Sequence, residues 1–308
     1  YWLLSPVKIG PSQKRLAGEQ YYKYISEYDT RSEFLKFRTL GKRHDMFSIY
    51  NPKDAFLVRS GVTYFKGMQI ADVSVLSFDI ETSGLVRDAS SKVYTIANAY
   101  RKNGKVERKL FSTDQFETDY EMFDAWMKWV RETDPSLLVG HNLFGFDLLY
   151  LRHCIERTGL SFEIGRDGRK VEFDTYESNF RKDGSQEYPF FNCHVYGREI
   201  VDTFFLSFKY DIKREFESYG LKSIVRQLGL EKTGRTFIDA SKIRELWKDL
   251  EMREHIKQYN LDDVDDALKL FDLMAPAYFY WAQSVPQSFQ QIINKATGSQ
   301  INAMMVRS

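Results

Sequence analysis

The stretch ADVSVLSFDIE, residues 71–81, decides the fold. It reads as a buried central strand ending in two carboxylates. Side chains alternate faces along a strand, so Asp79 and Glu81 point the same way at its end, while Phe78 and Ile80 point into a core. Two neighbouring carboxylates repel and resist joint ionisation. A strand that carries them together on an otherwise apolar element is expected to hold a cation there.

Working outward, VYTIANAY (93–100) and VERKLF (106–111) suit further strands joined by a hairpin turn at KNGK. EMFDAWMKWVRE (121–132) places Phe123, Trp126, Met127 and Val130 on one helical face. LLVGHN (137–142) is a short strand, and FDLLYLRHCIERTG (146–159) a helix closed by Gly159. GREIVDTFF (197–205) reads as a strand and YGLKSIVRQLG (219–229) as a short helix. A long helix is expected from about Ser241 to Met274. Helices alternating with strands after an initial strand run give an α/β class with a mixed sheet. Before residue 71, MFSIY, AFLVR and VTYF separated by the turns NPKD and SG predict a small β-rich domain. Residues 1 to about 30 are polar and Tyr-rich and are expected to be partly mobile. The expected division is 1–70, a β-rich N-terminal domain; 71–275, the α/β domain; and 276–308, a helical connection.

The chain has 308 residues, 43% hydrophobic and 28% charged, with 24 Phe, 19 Tyr and 5 Trp. This is the profile of a globular protein and excludes disorder. The net charge of +1 excludes a bulk polyanion-binding tail but not a local basic groove. No apolar run is long enough to span a membrane, so no membrane partner is expected. The first residues lack the features of a signal peptide. Cys154 and Cys193 match no metal or disulfide framework and are expected as buried thiols in a reducing, intracellular compartment. Because the chain starts at Tyr1 and stops in INAMMVRS, it is expected to be processed, excised or a fragment.

Two further acidic positions stand out. In NLFGFD, Asp147 falls in the first turn of a helix, where an acid is favoured by the helix dipole even without a catalytic role. In YNLDDVDDALKLF (259–271), Tyr259 and Asp263 are one turn apart and share a face. Spacing does not choose among Asp262, Asp263, Asp265 and Asp266. At least two of the four are expected to be solvated surface, and what lifts Asp263 is its pairing with Tyr259. Asparagine at 262, 265 or 266 is expected to do little. Hard oxygen donors of this kind suit Mg²⁺ or Mn²⁺. Two such ions about 3.5–4 Å apart can activate a water and stabilise the leaving oxygen of a phosphodiester. A tyrosine hydroxyl, with an ordinary pKa of about 10, is a poor base but can aim a water.

FDIET (78–82), GHNLFGFD (140–147) and YNLDD (259–263) together resemble the three motifs of the DEDDy 3′–5′ exonucleases, most closely the proofreading domain of family B DNA polymerases. SGVTYFKGM (60–68), GREIVDTF (197–204), YGLKSIVRQLGLEK (219–232) and the tail KATGSQINAMMVRS (295–308) extend the resemblance over most of the chain. It implies a ribonuclease H-like mixed sheet flanked by helices, beside the smaller β-rich domain. It implies that Asp79, Glu81, Asp147 and Asp263 bind or support two divalent ions, that Tyr259 orients the water, and that Thr82, Asn142 and Phe146 face the primer terminus. The implied partner is DNA, as a single-stranded 3′ end or a primer-template, with the chain a monomer continuing into a polymerase domain in a phage, prokaryotic or viral replication context. Asn260 stands where many members carry cysteine, a difference expected to touch packing more than chemistry. No palm motif with paired catalytic aspartates occurs, so the chain alone is not expected to polymerise DNA. The alternatives are a stand-alone nuclease of this lineage acting on RNA or DNA, and a non-catalytic nucleic-acid-binding module.

Among other candidates, His141 is expected to serve strand-end packing, and His44, His153, His194 and His255 show no ligand spacing. Asp202 reads as supporting or structural. The turn KDGSQ (182–186) is either a surface hairpin or a hairpin that separates primer from template. Some of Lys209, Lys213 and Arg214 are expected on backbone phosphates, and Phe146 and Phe205 are candidates for stacking on bases.

Overall fold

The structure, a computed structural model, describes residues 1–10, 13–40, 45–183, 186–235 and 237–307. His44 and the tip of the 182–186 turn lie outside the described residues. The chain forms two compact units: Tyr1–Lys66 with Ala282–Gln287 and Thr297–Ser308, and Gly67–Trp281 with Ser288–Ala296. Residues 276–308, expected as one connection, are shared between the two.

In the first unit the strands are β1 (Trp2–Ser5), β2 (Gln13–Arg15), β3 (Tyr24–Glu27) and, after helix α1 (Arg31–Leu40), β4 (Phe47–Ser48), followed by helix α2 (Pro52–Ser60). They make an antiparallel sheet in the order β2-β3-β1-β4. The expectation for this region is corrected twice. The polar first thirty residues supply three of the four strands, with β1 buried along its length and the Trp2 indole donating to the Ala55 carbonyl at 2.8 Å. AFLVR is not a strand but part of α2. The Asn51 side chain accepts from the Lys53 and Asp54 backbone N–H groups, Pro52 opens the first turn, and Gly61 closes the helix at φ 70°. Asn-Pro reads as a turn or as a helix start. Ala55, Leu57 and Val58 bury one helical face and settle which. VTYF is likewise not a strand, and Phe65 there has φ 54°.

In the second unit, β5 (Val75–Thr82), β6 (Val93–Lys102), β7 (Lys105–Ser112), β8 (Leu137–Gly140) and β13 (Glu199–Asp202) form a five-stranded sheet in the order β13-β8-β5-β6-β7. β13, β8 and β5 run parallel, and β5, β6 and β7 antiparallel, so the sheet is mixed. β5 lies at its centre with Phe78 and Ile80 in the core. The β6–β7 hairpin turns at Asn103 and Gly104, both at positive φ, which a two-residue turn of this hand requires. Helix α3 (Asp119–Thr133) starts with a capping box between Thr118 and Glu121 and buries Met122, Phe123, Trp126, Met127 and Val130. Then come α4 (Asp147–Arg157), the small pairs β9 (Glu172–Phe173) with β12 (Cys193–His194) and β10 (Ser178–Asp183) with β11 (Gln186–Phe190), and helices α5 (Thr203–Tyr210), α6 (Leu221–Gln227), α7 (Ile243–Leu246), α8 (Leu250–Ala282) and α9 (Phe289–Asn294). Helix α10 (Thr297–Arg307) returns to the first unit. The expected strand GREIVDTFF stops at Asp202, whose carboxylate accepts from the Phe204 N–H and starts α5. The last long helix begins later than expected and runs through Pro276 to Ala282. Proline inside a helix costs roughly 3 kcal/mol. Met274, Ala275, Phe279 and Ala282 are all buried, and their packing offsets that cost. Among the described residues no helix is long and apolar enough to cross a membrane.

Candidate active site

Helix α8 is registered against the sheet by polar contacts that cross 160 to 190 residues of sequence. The Asn260 side-chain oxygen accepts from the Thr95 hydroxyl at 2.8 Å and from the Ala97 N–H at 3.0 Å, both on β6. Its amide nitrogen donates to Asp79 at 2.6 Å. The Ser77 hydroxyl, on β5, donates to the Val264 carbonyl at 2.9 Å. Asn260, expected to touch packing more than chemistry, both registers α8 on β6 and reaches Asp79.

This docking brings Asp263 to the end of β5. Carboxylate oxygens of Asp79, Glu81 and Asp263 all lie within 4.8 Å of one another. Asp147, at the first position of α4, is not among the three that converge, yet after burial its charge is the strongest influence raising the Asp79 carboxyl. Burial first, then the other acids, push Asp79 well above the usual carboxylate range. Glu81 is pushed up to about 8 by burial and the Asp263 charge. Burial raises Asp147, against hydrogen bonds from the backbone of Asp147 and Ile80 that hold it down. Asp263 is raised by burial and moderated by Lys222 and Arg235. The cluster holds more carboxyls than the protein sets cations against, which raises their pKa values, and every donor is a hard oxygen. That donor set fits a divalent cation of the Mg²⁺ or Mn²⁺ type.

Tyr259 is buried one turn before Asp263, with the Lys222 ammonium 3.9 Å from its ring centroid. An open cleft of about 290 Å³ is lined by Asp79, Asp263, His141 and the 220–223 segment. The His141 ring lies between the Thr203 hydroxyl at 2.9 Å and the Tyr219 carbonyl at 2.8 Å. Burial holds it down to about 4, so it is neutral at physiological pH. Asn142 takes a positive φ of 69° at the turn out of β8. Asp202 holds that turn by accepting from the Asn142 and Phe144 N–H groups at 2.7 and 3.2 Å. Phe146 is half-buried and tilted against Tyr150, with centroids 5.2 Å apart. The Thr82 hydroxyl donates to the Gly84 carbonyl at 3.0 Å.

Several side chains depart from expectation. Asp262 and Asp266 are not solvated surface: they are 4% and 1% exposed. Asp262 pairs with Lys232 at 3.1 Å, and Asp266 with Arg235 and with Lys269. Arg235, itself buried, also grips Asp263 and so bridges the two acids. Asp265 is the more open of the set and pairs with Arg108 at 3.0 Å. Phe205, offered as a base-stacking residue, is 2% exposed in an aromatic core with Phe144, Phe180 and Phe190. The Lys209 ammonium donates to the Lys295 carbonyl at 2.7 Å. Arg235 and Lys222 were given no role in the site by the sequence reading, and Asn260, noted there for its place after Tyr259, was given none in the acid cluster.

A mixed sheet with this strand order, flanked by helices and carrying carboxylates at the end of its central strand, is a ribonuclease H-like fold. Residues 46–224, more than half of the chain, match the model of the DNA polymerase family B exonuclease domain. The chain belongs to that family. It is 23% identical over 260 residues to the DNA polymerase of Thermococcus kodakarensis, covering 82% of this chain and 14% of that protein. It is 22% identical over 316 residues to the DNA polymerase of a Desulfurococcus species, covering 90% of this chain and 38% of that protein. The family B DNA polymerase structure from Pyrobaculum calidifontis superposes with a TM-score of 0.75 at 18% identity, over 99% of this chain and 44% of that one. The chain thus spans well under two thirds of its relatives. The third acidic segment, 259–263, lies beyond the matched residues and is tied to the first two by the geometry above.

Proposed function

We propose that this chain is a metal-dependent 3′–5′ exodeoxyribonuclease that removes nucleotides from a single-stranded or frayed primer end, and that it is the proofreading portion of a family B DNA polymerase. The observation that carries the reading is the convergence of Asp79, Glu81 and Asp263 from a strand and a helix far apart in sequence. These three would hold a divalent ion, and Asp147 would support a second. When bound, such ions supply a nucleophile at neutral pH and stabilise the charge of the displaced oxygen. The chain's own residues do the remainder. Tyr259 directs the attacking water by a hydrogen bond from its buried position. Asn142 and Phe146, held in place by Asp202 and Tyr150, receive the terminal nucleotide. Thr82 keeps acceptor capacity on its hydroxyl for the same nucleotide. A mismatched end unpairs more cheaply, so a site restricted to single strands gains selectivity from that difference.

The test is trimming of a 5′-labelled single-stranded oligodeoxynucleotide with Mg²⁺ or Mn²⁺. A ladder shortening from the 3′ end is expected from the wild-type chain and no shortening from Asp79→Ala. Wild-type activity in that variant removes the metal-site reading, and degradation from the 5′ end removes the polarity. Faster trimming of a mismatched than of a matched primer is the expected mark of proofreading.

A further inference from the structure

Asp263 faces two cations that differ in kind. Arg235 is buried, with a side chain 1% exposed, and contacts both Asp263 and Asp266. It is a fixed counter-ion. Lys222 is 33% exposed, and its ammonium lies 3.7 Å from the other Asp263 oxygen. That is longer than the roughly 2.7–2.9 Å of a close charge-assisted hydrogen bond. Arg235 holds Asp263 by direct contact, so the longer-range pull of the ammonium on that carboxylate leaves its three N–H donors available to a ligand in the cleft.

The position of Lys222 suggests what it serves. It is the only lysine or arginine among the described residues lining the cleft that also holds Asp79 and Asp263, and the cleft's histidine is neutral. Its charge lowers the pKa of Asp79, Glu81 and Asp263, so its field reaches the whole acid cluster. A phosphodiester approaching that cluster meets repulsion unless a positive group lies at the entrance. An ammonium on a flexible stem, with three donors, is suited to that task. The ammonium rests over the Tyr259 ring, 3.9 Å from its centroid, a cation–π contact that joins the two side chains.

Resting on the nuclease reading, we infer that Lys222 is a substrate-binding residue whose ammonium donates to a non-bridging oxygen of the terminal phosphodiester, while Arg235 remains the permanent partner of Asp263. The test is binding of a fluorescent single-stranded oligodeoxynucleotide in EDTA, followed by anisotropy across a salt series. Lys222→Met is expected to weaken binding about tenfold, the scale of a hydrogen bond to a charged group. It should also flatten the slope of log K against log salt by about 0.7, one phosphate contact on a single strand. Lys222→Arg should restore most of the slope. Replacing the 3′-terminal linkage by a neutral methylphosphonate should weaken wild-type binding and leave the Lys222→Met protein unaffected. Thermal melts of the variants should match the wild type. A Lys222→Met protein with the wild-type salt slope and the wild-type response to the methylphosphonate overturns the inference and makes Lys222 a packing residue on Tyr259. Absence of oligonucleotide binding by the wild-type chain instead overturns the nuclease reading on which it rests.

Discussion

The carboxylates at the end of β5 and those along α8 meet in one site but live under different electrostatic conditions. Each of the four acids at 262–266 has a cation: Lys232 for Asp262, Arg235 and Lys222 for Asp263, Arg108 for Asp265, Arg235 and Lys269 for Asp266. On β5, among the described residues, Asp79 and Glu81 have no ion pair. Asp79 receives the Asn260 amide, and both carboxyls are pushed up by burial and by each other's neighbours. The helix is charge-compensated and the strand is not. Unrelieved negative charge costs stability unless a bound cation relieves it, so the demand for metal is concentrated at the strand, with Asp263 as the helix's contribution.

The sharpest way to break this contrast is Asp79→Asn. Activity on a labelled oligonucleotide is expected to fall on the order of 10³-fold, about 4 kcal/mol of barrier. The metal-free protein should melt higher than wild type, because one repelled buried carboxyl is gone and the amide oxygen still accepts from Asn260. A lower melting temperature would mean that Asp79 is compensated after all. On the helix the opposite is expected. Arg235→Met leaves two buried acids without their shared partner, and breaking such a pair costs about 3–5 kcal/mol. Chemical denaturation measures it, and a loss below about 1 kcal/mol would show that the buried bridge contributes little.

The strand's excess charge also has a pH signature. Glu81 has a folded pKa of about 8 against an ordinary 4.5, so between these values the folded chain holds more protons than the unfolded one. Stability therefore falls as pH rises through that window. His141 works the other way: held down to about 4 from 6.5, it makes stability rise with pH between those values. Above pH 6.5 the His141 contribution is complete, and up to pH 8 the raised carboxyls outweigh the buried Lys209 ammonium, which is held down to about 8. In EDTA the melting temperature is expected to fall from pH 6.5 to pH 8. Mn²⁺ should raise it, and raise it more at pH 8, since binding requires the deprotonated carboxylates. An equal increment at both pH values would contradict the raised carboxyls. Tyr259→Phe gives a smaller effect: a rate loss of about tenfold, on the scale of one directing hydrogen bond, with the Mn²⁺ increment intact. Loss of the increment would make Tyr259 a support of the metal site instead.

The same contrast explains what was legible beforehand. A strand alternates with a period of two, so the shared direction of Asp79 and Glu81 follows from adjacency, and FDIE suffices. A run of four acids on a helix carries no such information. Whether each is solvated depends on what packs against α8: Lys232, Arg235 and Arg108 arrive from other elements, while Lys269 lies on the helix itself, three residues after Asp266. Tyr259 singled out Asp263 because a one-turn spacing is local. The reach of Asn260 to β6 and to Asp79 was not legible, because both lie far away in sequence. In the first unit, AFLVR is too short for its periodicity to separate strand from helix, and Asn51-Pro52 opens helices as well as turns.

The more exposed pair, Asp265 of α8 with Arg108 of β7, sharpens the comparison by its smallness. Asp265 keeps 20% of its side chain in solvent, and its partner Arg108 keeps 51%. Water screens such a pair and its two side chains lose entropy in forming it, so its net contribution is about 0–1 kcal/mol. Asp265→Asn should therefore shift the denaturation midpoint little and leave oligonucleotide trimming unchanged, whereas Asp266→Asn, at a buried partner of Arg235, should shift it visibly. Burial, not the presence of a cation, then sets the energetic weight of each acid on this helix. If Asp265→Asn and Asp266→Asn destabilise equally, the grading by burial fails, and the view of α8 as a helix whose inner acids are compensated structurally fails with it.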